Sequence, residues 1–229
     1  MWGIAAKRSR GRALLIRTVT FFLALALAFG TLLPPHAKAD TLKIVAFGDS
    51  LTAGYGLPPA EAFPVQLQKA LAEKGLDVEV VNAGVSGDTT TGGLARLDWS
   101  VPEDADAVIL ELGGNDALRG LPPETTRENL DEMVARLKER GIAVLVAGIR
   151  APRNLGEEYA QAFDPVFADV AQAHGARLYP YFLEGIPLSP ETVQGDGLHP
   201  TGKGVAIIVE NILPSVEELM EQVRSRTHK

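Results

Sequence analysis

Ser50 occupies a position typical of a catalytic nucleophile. The apolar segment 42–47 runs directly into Gly48-Asp49-Ser50, so the serine follows a predicted strand at its carboxyl end. Gly48 permits a tight turn there, and the first backbone N–H groups of a following helix can face an anion. A serine hydroxyl is a weak nucleophile until a base takes its proton. By itself the turn also fits a serine that only caps a helix, so the interpretation depends on finding a base.

His199 is the candidate base among the four histidines. His36 precedes the mature chain predicted below, and His228 lies near the C-terminus. His174 lies at the end of a predicted helix, where a cation is favourable for the helix dipole alone. His199 follows Asp196 by three residues in a glycine-rich loop, so one turn can bring the carboxylate to the imidazole. Such a carboxylate fixes the tautomer and stabilises the imidazolium formed during attack. The alternative is that both residues merely cap the last helix.

Two further loops offer donors for the negative charge of a tetrahedral intermediate. Asn115 has a side-chain amide in Gly113-Gly114-Asn115-Asp116, and Gly87 has an unobstructed backbone N–H in segment 83–89. One well-aimed donor is worth roughly 2.7–4 kcal/mol to catalysis. Both residues can instead serve only the backbone, Asn115 as a turn former and Gly87 as a loop residue with positive φ.

The segments that position these loops alternate between strand and helix. Nearly continuous apolar runs predict strands that are buried on both faces, at 42–47, 78–82, 107–112 and 142–149, with a weaker fifth at 177–180. Helical periodicity occupies 60–74, 123–140, 157–174 and 203–224. This order predicts an α/β fold, a three-layer α/β/α sandwich around a central, mainly parallel five-stranded sheet. Ligands bind beyond the carboxyl ends of such strands, where the candidate loops would meet.

The four motifs, taken together and in this order, resemble the SGNH hydrolases, the GDSL lipase/esterase superfamily, which have a flavodoxin-like architecture. The similarity extends from Leu42 to the last helix, and its blocks are Gly48-Asp49-Ser50-Leu51, Gly87, Gly113-Gly114-Asn115-Asp116 and Asp196-Gly197-Leu198-His199-Pro200. Within the superfamily the chain is most similar to the exported bacterial thioesterase I/lysophospholipase/arylesterase group. The longest similar segment is 111–120.

The resemblance implies a role for each of five residues. Ser50 would be the nucleophile and would give one backbone N–H to the oxyanion, with Gly87 and Asn115 completing the oxyanion hole. His199 would be the general base, oriented by Asp196. No metal or organic cofactor is needed for this chemistry, and the His and Asp residues do not have metal-ligand spacing. The resemblance implies acyl-CoA thioesters, aryl esters and lysophospholipids as substrates.

The loops after the third and fourth strands are candidates for binding the acyl group. They carry Leu118, Leu121, Ile149 and Pro152, an apolar set that suits an alkyl chain, although ordinary loop burial explains it nearly as well. The prediction is a serine esterase or thioesterase that hydrolyses medium- or long-chain acyl esters through an acyl-enzyme on Ser50. Two alternatives stay open, a carbohydrate or small-molecule acetylesterase on the same fold and a non-catalytic binding protein.

The N-terminal segment predicts export. Residues 1–39 contain basic residues, then an apolar run at 19–33 and Ala37-Lys38-Ala39, the order of a secretory signal peptide. That run is about 15 residues, against the roughly 20 that span a bilayer. We therefore expect a single domain at 40–229, periplasmic or secreted, acting as a monomer on a small acyl ester.

The composition of the mature chain excludes other kinds of chemistry and partner. Residues 40–229 carry 16 Lys/Arg and 29 Asp/Glu, a net charge of −13, which disfavours nucleic acid and stable membrane insertion. The absence of cysteine excludes disulfides and a thiolate nucleophile.

Overall fold

A parallel sheet forms the centre of the computed structural model, which describes residues 41–227. Its strands are β1 Leu42–Gly48, β2 Val78–Gly84, β3 Ala107–Glu111, β4 Ala143–Ala147 and β5 Arg177–Tyr179. They lie in the order β2-β1-β3-β4-β5, and every neighbouring pair is parallel. All residues of β3 and β4 are buried, as their continuous apolar sequences require. The predicted α/β class and five-stranded sheet are confirmed.

Helices cover both faces of the sheet. Within residues 41–227 they are α1 Ser50–Ala53, α2 Phe63–Glu73, α3 Thr90–Ser100, α4 Gly114–Leu118, α5 Pro123–Glu139, α6 Glu157–Phe163, α7 Val166–His174 and α8 Gly202–Thr227. The connection from β1 to β2 moves toward one edge of the sheet, whereas the connections from β2 onward move toward the other edge. Right-handed crossovers therefore place α2 on one face and α3, α5 and α7 on the other. Accordingly α2 packs against α8, whereas α3 and α7 both pack against α5.

Two predicted helical stretches differ from the structure. The helix expected at 157–174 is two helices, because Pro165 has no N–H to continue the ladder of α6 and α7 begins after it. The helix expected at 60–74 begins only at Phe63, after a 3₁₀ turn at Pro59–Glu61. Helix α3 was not predicted at all, because its first turns are rich in threonine and glycine, which are poor helix formers.

The chain reverses its direction along the sheet between β1 and β3, and this reversal opens a crevice at the carboxyl ends of these two central strands. The loops that follow β1 and β3 carry Ser50 and Asn115 respectively. Residues 1–39, the predicted signal peptide, lie outside the described part of the chain. No helix within 41–227 combines the length and apolar character needed to cross a membrane.

Candidate active site

The turn after β1 presents Ser50 at the start of α1. The side chain of Asp49, not Ser50, caps this helix by accepting the backbone N–H of Leu51 at 3.0 Å. The alternative interpretation of Ser50 as the helix cap is therefore wrong. Glycine is required at position 48, because a Cβ there would lie 2.1 Å from Thr52 Oγ1. The tight turn leaves the Ser50 side chain partly exposed at the carboxyl edge of the sheet.

His199 and Asp196 complete a hydrogen-bonded chain with Ser50. His199 Nε2 lies 2.9 Å from Ser50 Oγ, and His199 Nδ1 lies 2.6 Å from Asp196 Oδ2. Asp196 Oδ1 accepts the backbone N–H groups of Leu198 at 2.9 Å and of His199 at 3.0 Å. The Leu198 N–H, followed by the His199 side chain, lowers the pKa of Asp196 to about 2. The carboxylate is therefore ionised at neutral pH, which suits it to orient an imidazole.

The alternative role of this loop as a helix cap does not fit the geometry. Helix α8 begins at Gly202, and Thr201 Oγ1 accepts the backbone N–H of Gly204 at 3.3 Å, which makes Thr201 the capping residue. The loop is instead oriented toward Ser50. The Tyr55 ring also packs against the His199 ring, with 4.6 Å between centroids, a contact that no sequence motif indicated.

The two other predicted oxyanion donors border the same cavity as Ser50. Gly87 has a φ of +84°, a backbone conformation that residues with a side chain rarely adopt. Glycine is therefore needed there for its conformation and not for space, because no atom lies within 4 Å of an added Cβ. Asn115 Nδ2 donates to Asp49 Oδ2 at 3.0 Å and to the Asp88 carbonyl at 2.9 Å. These bonds orient the amide but engage both of its hydrogens, so an oxyanion must share one of them.

Asp116 fixes the loop that carries Asn115. Its buried carboxylate accepts the Thr90 N–H at 2.9 Å, the Thr90 hydroxyl at 2.5 Å and the Thr126 hydroxyl at 3.3 Å. These bonds join the start of α3 to α4 and α5. The aspartate of the Gly-Gly-Asn-Asp motif therefore holds the loop in place and does not line the cavity.

Two buried carboxyl groups lie beneath the nucleophile turn. Glu111 at the end of β3 is fully buried and accepts the Thr52 hydroxyl at 2.7 Å. Its Oε1 is the one buried side-chain nitrogen or oxygen without a hydrogen-bond partner in residues 41–227. Burial raises the pKa of Glu111 well above its usual range, with a further contribution from Asp49. Burial also raises the pKa of Asp49 to about 6, against the lowering effect of the Leu51 N–H and the Asn115 amide.

The site opens into a largely apolar cavity of about 960 Å³. Three of the predicted acyl-binding residues, Leu118, Ile149 and Pro152, line it. Leu121 does not, because it lies beyond the Gly120 turn, where its carbonyl accepts the Tyr159 hydroxyl at 2.7 Å. The far wall, which the sequence-based reasoning missed, follows β5 and contains Leu183, Ile186 and Leu188. Ligands bind beyond the carboxyl ends of the strands, and this rule predicts the wall when it is applied to the weak fifth strand as well.

No three or more His, Cys, Asp or Glu side chains of the described chain are grouped so that they could hold a metal ion.

Comparison with known proteins shows that the chain is similar to acyl hydrolases. A model of the GDSL-like lipase/acylhydrolase family matches residues 46–207. The chain is 42% identical to "Esterase TesA" of Pseudomonas aeruginosa over 190 residues, covering 82% of this chain and 94% of that protein. It is 41% identical to "Arylesterase" of Vibrio mimicus over 175 residues, covering 76% of this chain and 88% of that one.

Two further similarities extend across most of the chain. "Thioesterase 1/protease 1/lysophospholipase L1" of Escherichia coli is 36% identical over 185 residues, which cover 80% of this chain and 86% of that protein. The solved structure "Crystal Structure of TesA" has a TM-score of 0.73 and 40% identity, and the match covers 77% of this chain and 99% of that one.

Proposed function

The chain belongs to the GDSL-like lipase/acylhydrolase family and hydrolyses esters, and we propose that Ser50 is its nucleophile, His199 its general base and Asp196 the residue that orients the base. The observation that carries this proposal is the continuous hydrogen-bonded chain from Ser50 Oγ through the His199 ring to Asp196, with distances of 2.9 and 2.6 Å.

The reaction follows from this geometry. His199 accepts the Ser50 proton at Nε2 while Ser50 Oγ attacks the acyl carbonyl. Negative charge develops on the carbonyl oxygen. It is stabilised by hydrogen bonds from the backbone N–H groups of Ser50 and Gly87 and from the Asn115 amide. The imidazolium, stabilised by Asp196, then protonates the leaving alcohol or thiol. Water releases the acid from the acyl-enzyme by the same steps.

The cavity supports an acyl chain longer than acetyl. Its volume of about 960 Å³ is far more than an acetyl group fills, and Tyr55, Leu118, Leu188 and Leu198 line it although each is more than half exposed. Exposed apolar side chains around a cavity mark a binding surface for apolar ligands. We propose medium- or long-chain aryl esters, lysophospholipids and acyl thioesters as substrates, the classes that the relatives' names indicate.

The setting of the enzyme is also a proposal. The basic–apolar–small order of residues 1–39 supports a cleaved signal peptide and export to the periplasm or beyond. Residues 41–227 lie within one compact unit, which supports a single catalytic domain at 40–229. The net charge of −13 in that domain disfavours nucleic acid and anionic membranes, and we propose that it acts as a monomer. N-terminal sequencing and size-exclusion chromatography of the exported protein test these proposals.

The function is tested by hydrolysis of p-nitrophenyl esters from acetyl to palmitoyl, with the purified protein and its Ser50→Ala variant. We expect medium or long chains to be cleaved best and the variant to be inactive. Cleavage of acetyl esters alone would instead favour the acetylesterase alternative. Full activity of Ser50→Ala would refute the proposed nucleophile.

A further inference from the structure

Arg96 is a buried cation outside the cavity lining that the reaction described above does not use. It lies in α3 with 6% of its surface exposed, and its guanidinium stacks 4.0 Å above the Phe47 ring. A buried arginine is unusual unless its donors are paired, and here the hydrogen-bonding nitrogens are all engaged. Nε donates to Asp88 Oδ2 at 2.6 Å, Nη1 to the Ala83 carbonyl at 2.9 Å and Nη2 to the Gly48 carbonyl at 2.9 Å.

These acceptors lie at the ends of β1 and β2 and in the segment after β2, so they adjoin the two loops that carry Ser50 and Gly87, two of the three oxyanion donors. Gly48 is the last residue of β1 and is separated from Ser50 only by Asp49. Asp88 directly follows Gly87, and its own carbonyl accepts the Asn115 amide at 2.9 Å. One guanidinium therefore connects the nucleophile turn to the Gly87–Asp88 segment, and through that segment to Asn115.

We propose that Arg96 is a positioning residue that sets the relative placement of the three oxyanion donors, an inference that rests on the proposed function. The planar fork of its N–H groups fixes the directions of its acceptors as well as their distances. If the Gly48 turn moved relative to the Gly87–Asp88 segment, the Ser50 and Gly87 N–H groups would no longer point at the same substrate oxygen. The positive charge also balances the partly buried Asp88 carboxylate, whose side chain is 14% exposed.

Arg96→Lys separates the fork geometry from the charge. Lysine keeps the cation but presents a point charge on a flexible stem, which cannot bond the two loops in fixed directions at once. A shift of about 1 Å in reacting groups can cost about 100-fold in rate. We expect kcat per active site to fall about 10- to 100-fold while KM changes by less than about threefold. The hydrogen bonds that weaken are those from the oxyanion donors, which form in the transition state and not in the bound substrate.

The experiment counts active sites, so that a positioning effect is not confused with partial unfolding. A p-nitrophenyl alkylphosphonate forms a P–O bond to the reactive serine and releases one p-nitrophenolate for each competent site. We expect a near-normal amplitude for Arg96→Lys, with the phosphonylation rate constant reduced in parallel with kcat. Arg136→Lys is the matched control, because the Arg136 side chain is 40% exposed and is paired with Glu132 at 2.7 Å and Asp98 at 3.4 Å.

The outcomes distinguish the inference from the proposed function. A lower titration amplitude with normal kcat per site would show that Arg96 serves only the fold, and would overturn the inference. If Arg96→Lys yields no folded protein, Asp88→Asn decides by the same two measurements: reduced kcat per site supports the inference and unchanged kcat per site overturns it. Stoichiometric release by Ser50→Ala would overturn the proposed nucleophile itself, whatever the result at Arg96.

Discussion

Replacement of Asp196 by asparagine is predicted to hold His199 in the wrong tautomer. Asp196 Oδ1 accepts two backbone N–H groups, at 2.9 and 3.0 Å, whereas Oδ2 faces His199 Nδ1 at 2.6 Å. In Asp196→Asn the two backbone donors keep the amide oxygen at the Oδ1 position, so the NH₂ group takes the Oδ2 position. His199 Nδ1 must then accept a hydrogen bond, the ring proton moves to Nε2, and Nε2 can no longer take the Ser50 proton.

The expected loss is about 10⁴-fold in kcat, the size found for this exchange in a Ser-His-Asp triad. It corresponds to roughly 5.4 kcal/mol at about 1.36 kcal/mol for each tenfold change. Loss of an exposed ion pair alone would cost about 1 kcal/mol or less, which is under tenfold. The two explanations therefore differ by about three orders of magnitude, a gap that steady-state hydrolysis of a p-nitrophenyl ester at pH 8 resolves.

A matched Asp–His pair elsewhere in the chain provides the control. Asp131 Oδ1 lies 2.7 Å from His174 Nε2, and neither residue lines the cavity. Asp131→Asn should leave kcat unchanged. If Asp196→Asn retained more than about a tenth of the wild-type kcat, a loss within the range of a simple ion pair, the tautomer argument would be refuted.

Three further predictions concern the oxyanion hole, the buried carboxyl group and the cavity. Asn115→Ala should lower kcat about 100- to 1,000-fold in steady-state assays, since one oxyanion donor is lost; an unchanged kcat would exclude that role. The folded-state pKa of Asp49 is raised to about 6, so its protonated form stabilises the fold at low pH and that stabilisation is lost as pH rises through about 6. The free energy of unfolding of Asp49→Asn, measured in urea, should therefore rise relative to that of wild type between pH 4 and pH 7, by on the order of 3 kcal/mol. A difference between the two proteins that stays the same at every pH would contradict this prediction. Ile186→Trp should shift the chain-length profile of p-nitrophenyl esters toward short acyl groups, because Ile186 lines the cavity; an unshifted profile would place the acyl chain elsewhere.

The parallel sheet and the serine–histidine–aspartate arrangement were predictable because each leaves a local signal in the sequence. Continuous apolar runs mark strands buried on both faces, and the rule that ligands bind at strand carboxyl ends selects the loops. The short spacing from Asp196 to His199 lets one loop build their contact. The Ser50–His199 contact spans most of the chain, and the sequence predicted it only because both residues belong to loops expected at the same edge.

The features that were missed depend on tertiary contacts with weak local signals. Helix α3 begins with threonine and glycine, yet Thr89 caps it and Gly93 packs where a Cβ would lie 2.2 Å from Leu112 Cδ1. No local sequence pattern marks Arg96 as buried, and only the fold brings the Gly48 and Ala83 carbonyls to it. Burial of Glu111 likewise follows from its place at the end of a central strand.

The central claim, that Ser50 forms the covalent bond to the acyl group, is tested most directly by mass spectrometry after reaction with a p-nitrophenyl alkylphosphonate. The claim predicts a single adduct for each chain, located by peptide mapping on the segment that contains Ser50 and absent from Ser50→Ala. An adduct on another residue, or an equal yield of adduct in Ser50→Ala, would contradict it.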